Sequence, residues 1–157
     1  PFGTFNDEVV SALEKCGICY SRTTKTTESF RFPENWLTLH PTCHHNNQKL
    51  MELAKKFVEE KSRHYCDNWL FYVWGHSYEF ERNQNWELAE RICEKVAGKD
   101  DVWYATNIEI CEYVEAFNAL ITSADGKTVY NPTLKTVWMD VDGKLYRIDS
   151  GATVVME

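Results

Sequence analysis

Asp67-Asn-Trp-Leu-Phe-Tyr-Val-Trp-Gly-His-Ser-Tyr-Glu-Phe80 is the stretch that decides the fold. Residues 69–74 are six apolar or aromatic residues without a charge, the composition of a strand buried on both faces. The run stops at Gly75, and His76, Ser77, Tyr78 and Glu79 follow at once. In parallel α/β proteins the functional side chains gather at the C-terminal ends of strands, on the loops that lead into the next helix. The stretch therefore predicts a central strand that delivers His76 and Glu79 to a site. The structural alternative for His76 is a partly buried ring with one hydrogen bond, and its place at a strand end favours the site.

Upstream, Asn6 is placed to cap a helix with Asp7 and Glu8 in its first turn and Val9, Val10, Leu13 and Cys16 on one face. Gly17 supplies the stop. Residues 18–24 read as a strand, residues 25–35 as a polar loop broken by Pro33, and residues 36–39 as a short strand ended by Pro41. His40-Pro-Thr-Cys-His-His45 follows. His40, at the strand end, is expected to line the same cleft as His76. His44 and His45 read as a solvated loop before a helix, with a metal cluster as the sharper alternative. Leu50, Leu53, Ala54, Phe57 and Val58 form the stripe of that helix, which Asn46 or Asn47 is expected to cap.

Downstream, residues 81–85 read as a polar loop and Asn85 as the cap of a helix through Leu88, Ile92 and Val96, stopped at Gly98. Residues 102–106 read as a further short strand, followed by a helix from Asn107. The repeated alternation of strand and helix predicts a parallel sheet with covering helices. After Asp125-Gly126 the texture becomes antiparallel: strands at 128–130, 136–141 and 144–148, with Asp142-Gly143 as a hairpin turn. The expected division is residues 1–124 as the α/β part and 125–157 as a β-hairpin appendage.

With 157 residues, 43% of them hydrophobic, the chain suits one core of ordinary size. The net charge of -7, with no clustering of Lys and Arg, argues against nucleic acid as a partner. No apolar run is long enough to span a bilayer. The six cysteines, irregularly spaced, are expected to be free thiols in a reducing, cytoplasmic setting. Cys16-Gly-Ile-Cys19 matches the C-x-x-C pattern but follows a helix, whereas a redox pair starts one. A zinc site from Cys16 and Cys19 with Cys43, His44 and His45 would need two distant loops to meet.

The order of these motifs resembles the polysaccharide deacetylases of carbohydrate esterase family 4. The entry Pro1-Phe2-Gly3-Thr-Phe-Asn6 with its helix and the strand Tyr20-Ser-Arg22 looks like the family's third motif. The loop at Leu39–His45 falls where the fourth would be, and Phe71-Tyr-Val-Trp-Gly-His76 is similar to the fifth. The resemblance covers roughly residues 1–121. It implies an α/β fold, part of a distorted (β/α) barrel of which this chain supplies about four βα units, as the C-terminal half. It implies a hydrolase that removes N- or O-acetyl groups from a carbohydrate, with a divalent metal, zinc by preference, whose ligands lie upstream of this chain. His76 would be the general acid, and the Phe2 backbone N–H would stabilise the oxyanion. Trp36, His40, Tyr78 and Glu79 would face the substrate. The partners implied are the acetylated carbohydrate and the N-terminal half of the barrel, and the open strand edges of a half-barrel invite a second copy. The alternative is a carbohydrate-binding or structural α/β domain without catalysis.

Overall fold

A computed structural model describes residues 3–60 and 68–156, and the chain's contacts divide it into two units, Pro1–Trp103 and Tyr104–Glu157. The fold is mixed α/β. Among the described residues it has five helices and small, open sheets of two, three and two strands, and these do not close into a barrel. Phe2, His64, Cys66 and Asp67 lie outside the described residues.

In the first unit, helix α1 (Asp7–Lys15) starts where the Asn6 Oδ1 accepts the Val9 N–H at 3.0 Å. It ends at Cys16, after which Gly17 takes the left-handed conformation with φ 72°. The chain then runs extended and pairs in parallel with the segment around Leu39. The Leu39 N–H donates to the Ser21 carbonyl, and the Thr23 N–H to the Leu39 carbonyl. The strand expected at 36–39 begins instead as a 3-10 turn, Trp36–Thr38, because the Asn35 side chain accepts the Leu37 N–H at 2.8 Å. Strand β1 (Cys43–His44) follows and pairs in parallel with β2 (Val73–Trp74), Cys43 opposite Val73 and His44 opposite Trp74.

The central strand thus has the expected direction and the parallel partner, but its ladder is two residues long. Pro41 before β1 and the turn closed by the Asn47 N–H on the His44 carbonyl leave β2 nothing longer to pair with. The residues ahead of the ladder go to the core instead. Trp69 and Phe71 pack with Phe30 and Phe57, the Phe30 and Trp69 ring centres 4.9 Å apart and the Phe57 and Phe71 rings stacked at 5.2 Å. Helix α2 (Leu50–Glu59) buries Leu50, Leu53 and Ala54, the two leucines within this cluster. Asn47 does not cap α2 itself; the cap position is Lys49, whose N–H donates to the Asn47 side chain. The polar loop expected at 81–85 is largely replaced by helix α3 (Ser77–Asn83), and helix α4 (Trp86–Val96) follows, packing Leu88 and Ile92 onto the same core. Residues 102–106 join no ladder.

The second unit opens with helix α5 (Asn107–Asn118). Its cap is Thr106 rather than Asn107: the Thr106 Oγ1 accepts the Glu109 N–H while the Glu109 carboxylate accepts the Thr106 N–H. Strands β3 (Ile121–Thr122), β4 (Thr128–Tyr130) and β7 (Thr153–Val155) form one antiparallel sheet with β4 in the middle. Strands β5 (Val137–Val141) and β6 (Lys144–Ile148) form a hairpin. Its turn has Asp142 at φ 53° and Gly143 at φ 83°, two left-handed residues that match the twist of the flanking strands. Buried Asn131 ties the unit together. Its amide donates to the Lys135 and Ile148 carbonyls and its oxygen accepts from Thr133. No helix among the described residues is long and apolar enough to cross a membrane.

Candidate metal and proton-transfer site

Three elements of the first unit converge at the C-terminal ends of β1 and β2. Strand β1 ends in His44 and continues into His45; β2 ends at Gly75 and His76; α3 brings Glu79 back over both. The start of α3 fixes that carboxylate. The Glu79 Oε2 accepts the His76 backbone N–H at 3.1 Å, satisfying a donor that the helix itself leaves unpaired. In that position Oε2 also lies 3.3 Å from His76 Nδ1, 3.2 Å from His44 Nε2 and 3.6 Å from His45 Nε2. One carboxylate oxygen is the focus of three imidazoles.

His45 is the buried member, with 3% of its side chain exposed. Its ring stacks on Phe80 at 4.2 Å and lies 4.3 Å from the His44 ring. The Gly75 backbone passes directly beneath it: a Cβ on Gly75 would stand 1.6 Å from His45 Nδ1. Neither ring nitrogen of His45 completes a hydrogen bond. A neutral imidazole carries one N–H and one lone pair; the Trp74 carbonyl and the Glu79 carboxylate, 3.6 Å from Nε2, are the acceptors beside this ring, and no donor reaches its lone pair. Burial holds the His45 pKa below the ordinary histidine value, and the neighbouring His44 and His76 rings push the same way. Glu79 and the Trp74 carbonyl pull it up without prevailing. The expectation that His44 and His45 form a solvated loop is corrected here, because β1 carries His45 into the interior and leaves His44 only 22% exposed.

Glu79 is ionised. Burial opposes its charge, but the hydrogen bonds from the His76 N–H and ring, with His44 and His45 beside it, hold its pKa below the usual carboxylate value. His44 accepts the Asn46 N–H on Nδ1 at 3.2 Å, which places its proton on Nε2, facing Glu79. His76 is 49% exposed and reaches the same oxygen through Nδ1, so its Nε2 is left for a reacting partner. The Trp74 ring meets His44 edge-on at 4.5 Å and His76 at 5.8 Å. The Arg22 guanidinium lies over that indole, 4.0 Å from its centre, and sets a positive charge beside the site.

The remaining expected residues are placed as follows. Tyr78, in the first turn of α3, is exposed, and its ring lies 5.1 Å from that of His76. His40 stands apart from the cluster, with Nδ1 2.6 Å from the Thr23 hydroxyl. Trp36 packs toward Phe32, ring centres 6.3 Å apart, in the 3-10 turn. Phe2 lies outside the described residues. Cys16 and Cys19 are exposed at the C-terminal end of α1, and Cys43 is buried. Among the described residues, the group able to hold a metal ion is His44, His45 and Glu79, without the C-x-x-C pair.

Compared with protein-family models, with curated proteins and with solved structures, the chain matches none.

Proposed function

We propose that the chain is a hydrolytic domain built on the plan of the polysaccharide deacetylases, removing acetyl groups from a carbohydrate with His76 as the proton donor. The observation that carries this is the half-exposed His76 ring at the end of a parallel strand, its Nδ1 3.3 Å from the Glu79 carboxylate. A carboxylate on Nδ1 fixes the tautomer and orients the ring, so that Nε2 can take a proton and return it to the leaving amine or alcohol. Arg22, over the Trp74 ring, supplies a cation that would stabilise negative charge developing on a carbonyl oxygen bound beside it. The two parallel strands then represent part of a distorted barrel, completed by the N-terminal half that the resemblance implies. Reduced cysteines suit a cytoplasmic compartment, and Cys16, Cys43 and Cys93 are free thiols.

The test is acetyl release from an acetylated chito-oligosaccharide by the chain. His76→Ala should lower turnover about 10²- to 10⁴-fold with the fold intact. Unchanged turnover in that variant, or no acetyl release by the unaltered protein, refutes the reading.

A second reading is favoured by a separate cleft of about 460 Å³ lined by Phe30, Arg31, Phe32, Lys56 and Trp69, with none of the cluster residues among its walls. An aromatic wall with flanking charges suits a sugar ring, and the domain would then bind carbohydrate without turning it over. Sugar-dependent change in tryptophan emission that survives His76→Ala supports this reading over the first.

A further inference from the structure

We propose that His44, His45 and Glu79 form a zinc centre belonging to this chain, independent of any ligands upstream of it. The inference deepens the hydrolytic reading, because it puts a metal beside His76, yet it stands on observations of its own.

The first is the unsatisfied His45. A ring with 3% exposure and no donor on its lone pair pays a desolvation penalty that the packing on Phe80 does not relieve, since stacking leaves the in-plane lone pair untouched. A cation at Nε2 relieves it. The second is spacing. Zinc binds imidazole nitrogen and carboxylate oxygen at about 2.0–2.2 Å, so two ligands of a tetrahedral ion lie about 3.3–3.6 Å apart. His44 Nε2 and His45 Nε2 stand 3.2 and 3.6 Å from Glu79 Oε2, and one ligand atom from each residue falls within 4.8 Å of the others. The third is the donor set. Two imidazoles and one carboxylate favour a borderline ion such as zinc over calcium or magnesium, and three protein ligands leave a fourth position for water.

The hydrogen bonding at Glu79 points the same way, while the Asn46 N–H on His44 Nδ1 opposes it. The Glu79 Oε2 has the His76 N–H, His76 Nδ1 and His44 Nε2 all within 3.3 Å, more donors than one carboxylate oxygen has lone pairs. Metal loading takes His44 Nε2 out of that competition. It moves the His44 proton to Nδ1, and the Asn46 N–H must then turn away from the ring. Arg82, 3.8 Å from Glu79 Oε1, and Arg22 over Trp74 are the cations nearest the site, and the carboxylate oxygen facing the histidines is not the one Arg82 approaches.

The test is titration of the chelator-treated chain with Co²⁺, followed by visible absorption, and displacement by Zn²⁺. The expected result is one ion per chain, with the intense bands of a tetrahedral site. His45→Ala and Glu79→Gln should each weaken binding at least a hundredfold, while His76→Ala leaves it within threefold. Because His45 is buried, His44→Ala serves as the variant that preserves the core, and circular dichroism monitors the fold of all four. Absence of saturable Co²⁺ binding, or wild-type affinity in folded His44→Ala or Glu79→Gln, overturns the proposal. These readouts separate it from the hydrolytic reading: His76→Ala lowers turnover without touching the metal, and loss of the metal site through His44→Ala leaves the His76 and Glu79 pair in place.

Discussion

Gly75→Ala tests the architecture of the site with a single methyl group. Gly75 does not take the left-handed backbone conformation, so the reason for glycine there is space. The added Cβ would lie 1.6 Å from His45 Nδ1, 2.4 Å from Cε1 and 2.8 Å from Cγ. Ordinary contact begins near 3.4 Å, so the ring must withdraw by about 1.8 Å from its Nδ1 side. It has little room to do so, with Phe80 stacked at 4.2 Å and His44 at 4.3 Å. Overpacking of this kind costs about 1–3 kcal/mol. Denaturant unfolding followed by tryptophan emission should show a lowered midpoint at unchanged slope. A shift of that size also carries Nε2 out of range of Glu79, so Co²⁺ affinity should fall at least tenfold, which is about 1.4 kcal/mol. Gly75→Ala with an unchanged midpoint and unchanged metal affinity would refute the placement of His45 against Gly75.

Two further predictions need only standard assays. Burial, with Glu28 nearby, raises the Cys43 thiol to about 11, so at pH 8 it stays protonated while exposed Cys16 and Cys93 react. Iodoacetamide mapping by mass spectrometry should label Cys16 and Cys93 and spare Cys43, and labelling of Cys43 at the same rate would contradict its burial. Asn131→Ala leaves the buried Ile148 carbonyl and the Thr133 N–H without their partner, and should destabilise the second unit by about 1–3 kcal/mol in thermal unfolding.

The elements legible in the sequence are those set by neighbours in the chain. Asn6 and Gly17 bracket α1 because a cap and a left-handed stop act over four residues. Asp142 and Gly143 turn the hairpin because both accept positive φ. Elements set from a distance were read less well. The length of β2 depends on β1, some thirty positions earlier, and β1 is cut short by its own proline and turn. His44 and His45 look solvated beside Asn46 and Asn47, and only the parallel pairing of β1 with β2 reveals that one of them is interior. Helix α3 was hidden because histidine is an unusual residue to begin a helix. The signal available was Glu79 three positions after His76, the spacing of a capping box.

That same spacing couples the fold to the chemistry. A glutamate at the third position of a helix normally turns back to accept the N–H of the capping residue, and this alone fixes its rotamer. Here the capping residue is itself a histidine at the end of β2, so the bond that starts α3 also brings Oε2 to 3.3 Å from the His76 ring. The pairing of β1 with β2 then decides what else meets that oxygen, because His44 lies opposite Trp74 and His45 falls one residue beyond the ladder, over Gly75. Removing the carboxylate therefore has two consequences of different kinds. Glu79→Gln keeps an oxygen able to accept the His76 N–H and preserves the start of α3, whereas Glu79→Ala loses the cap as well, at a cost of about 0.5–2 kcal/mol. A site assembled in this way should lose its charge-dependent chemistry in both variants, and its helix start in the alanine variant alone.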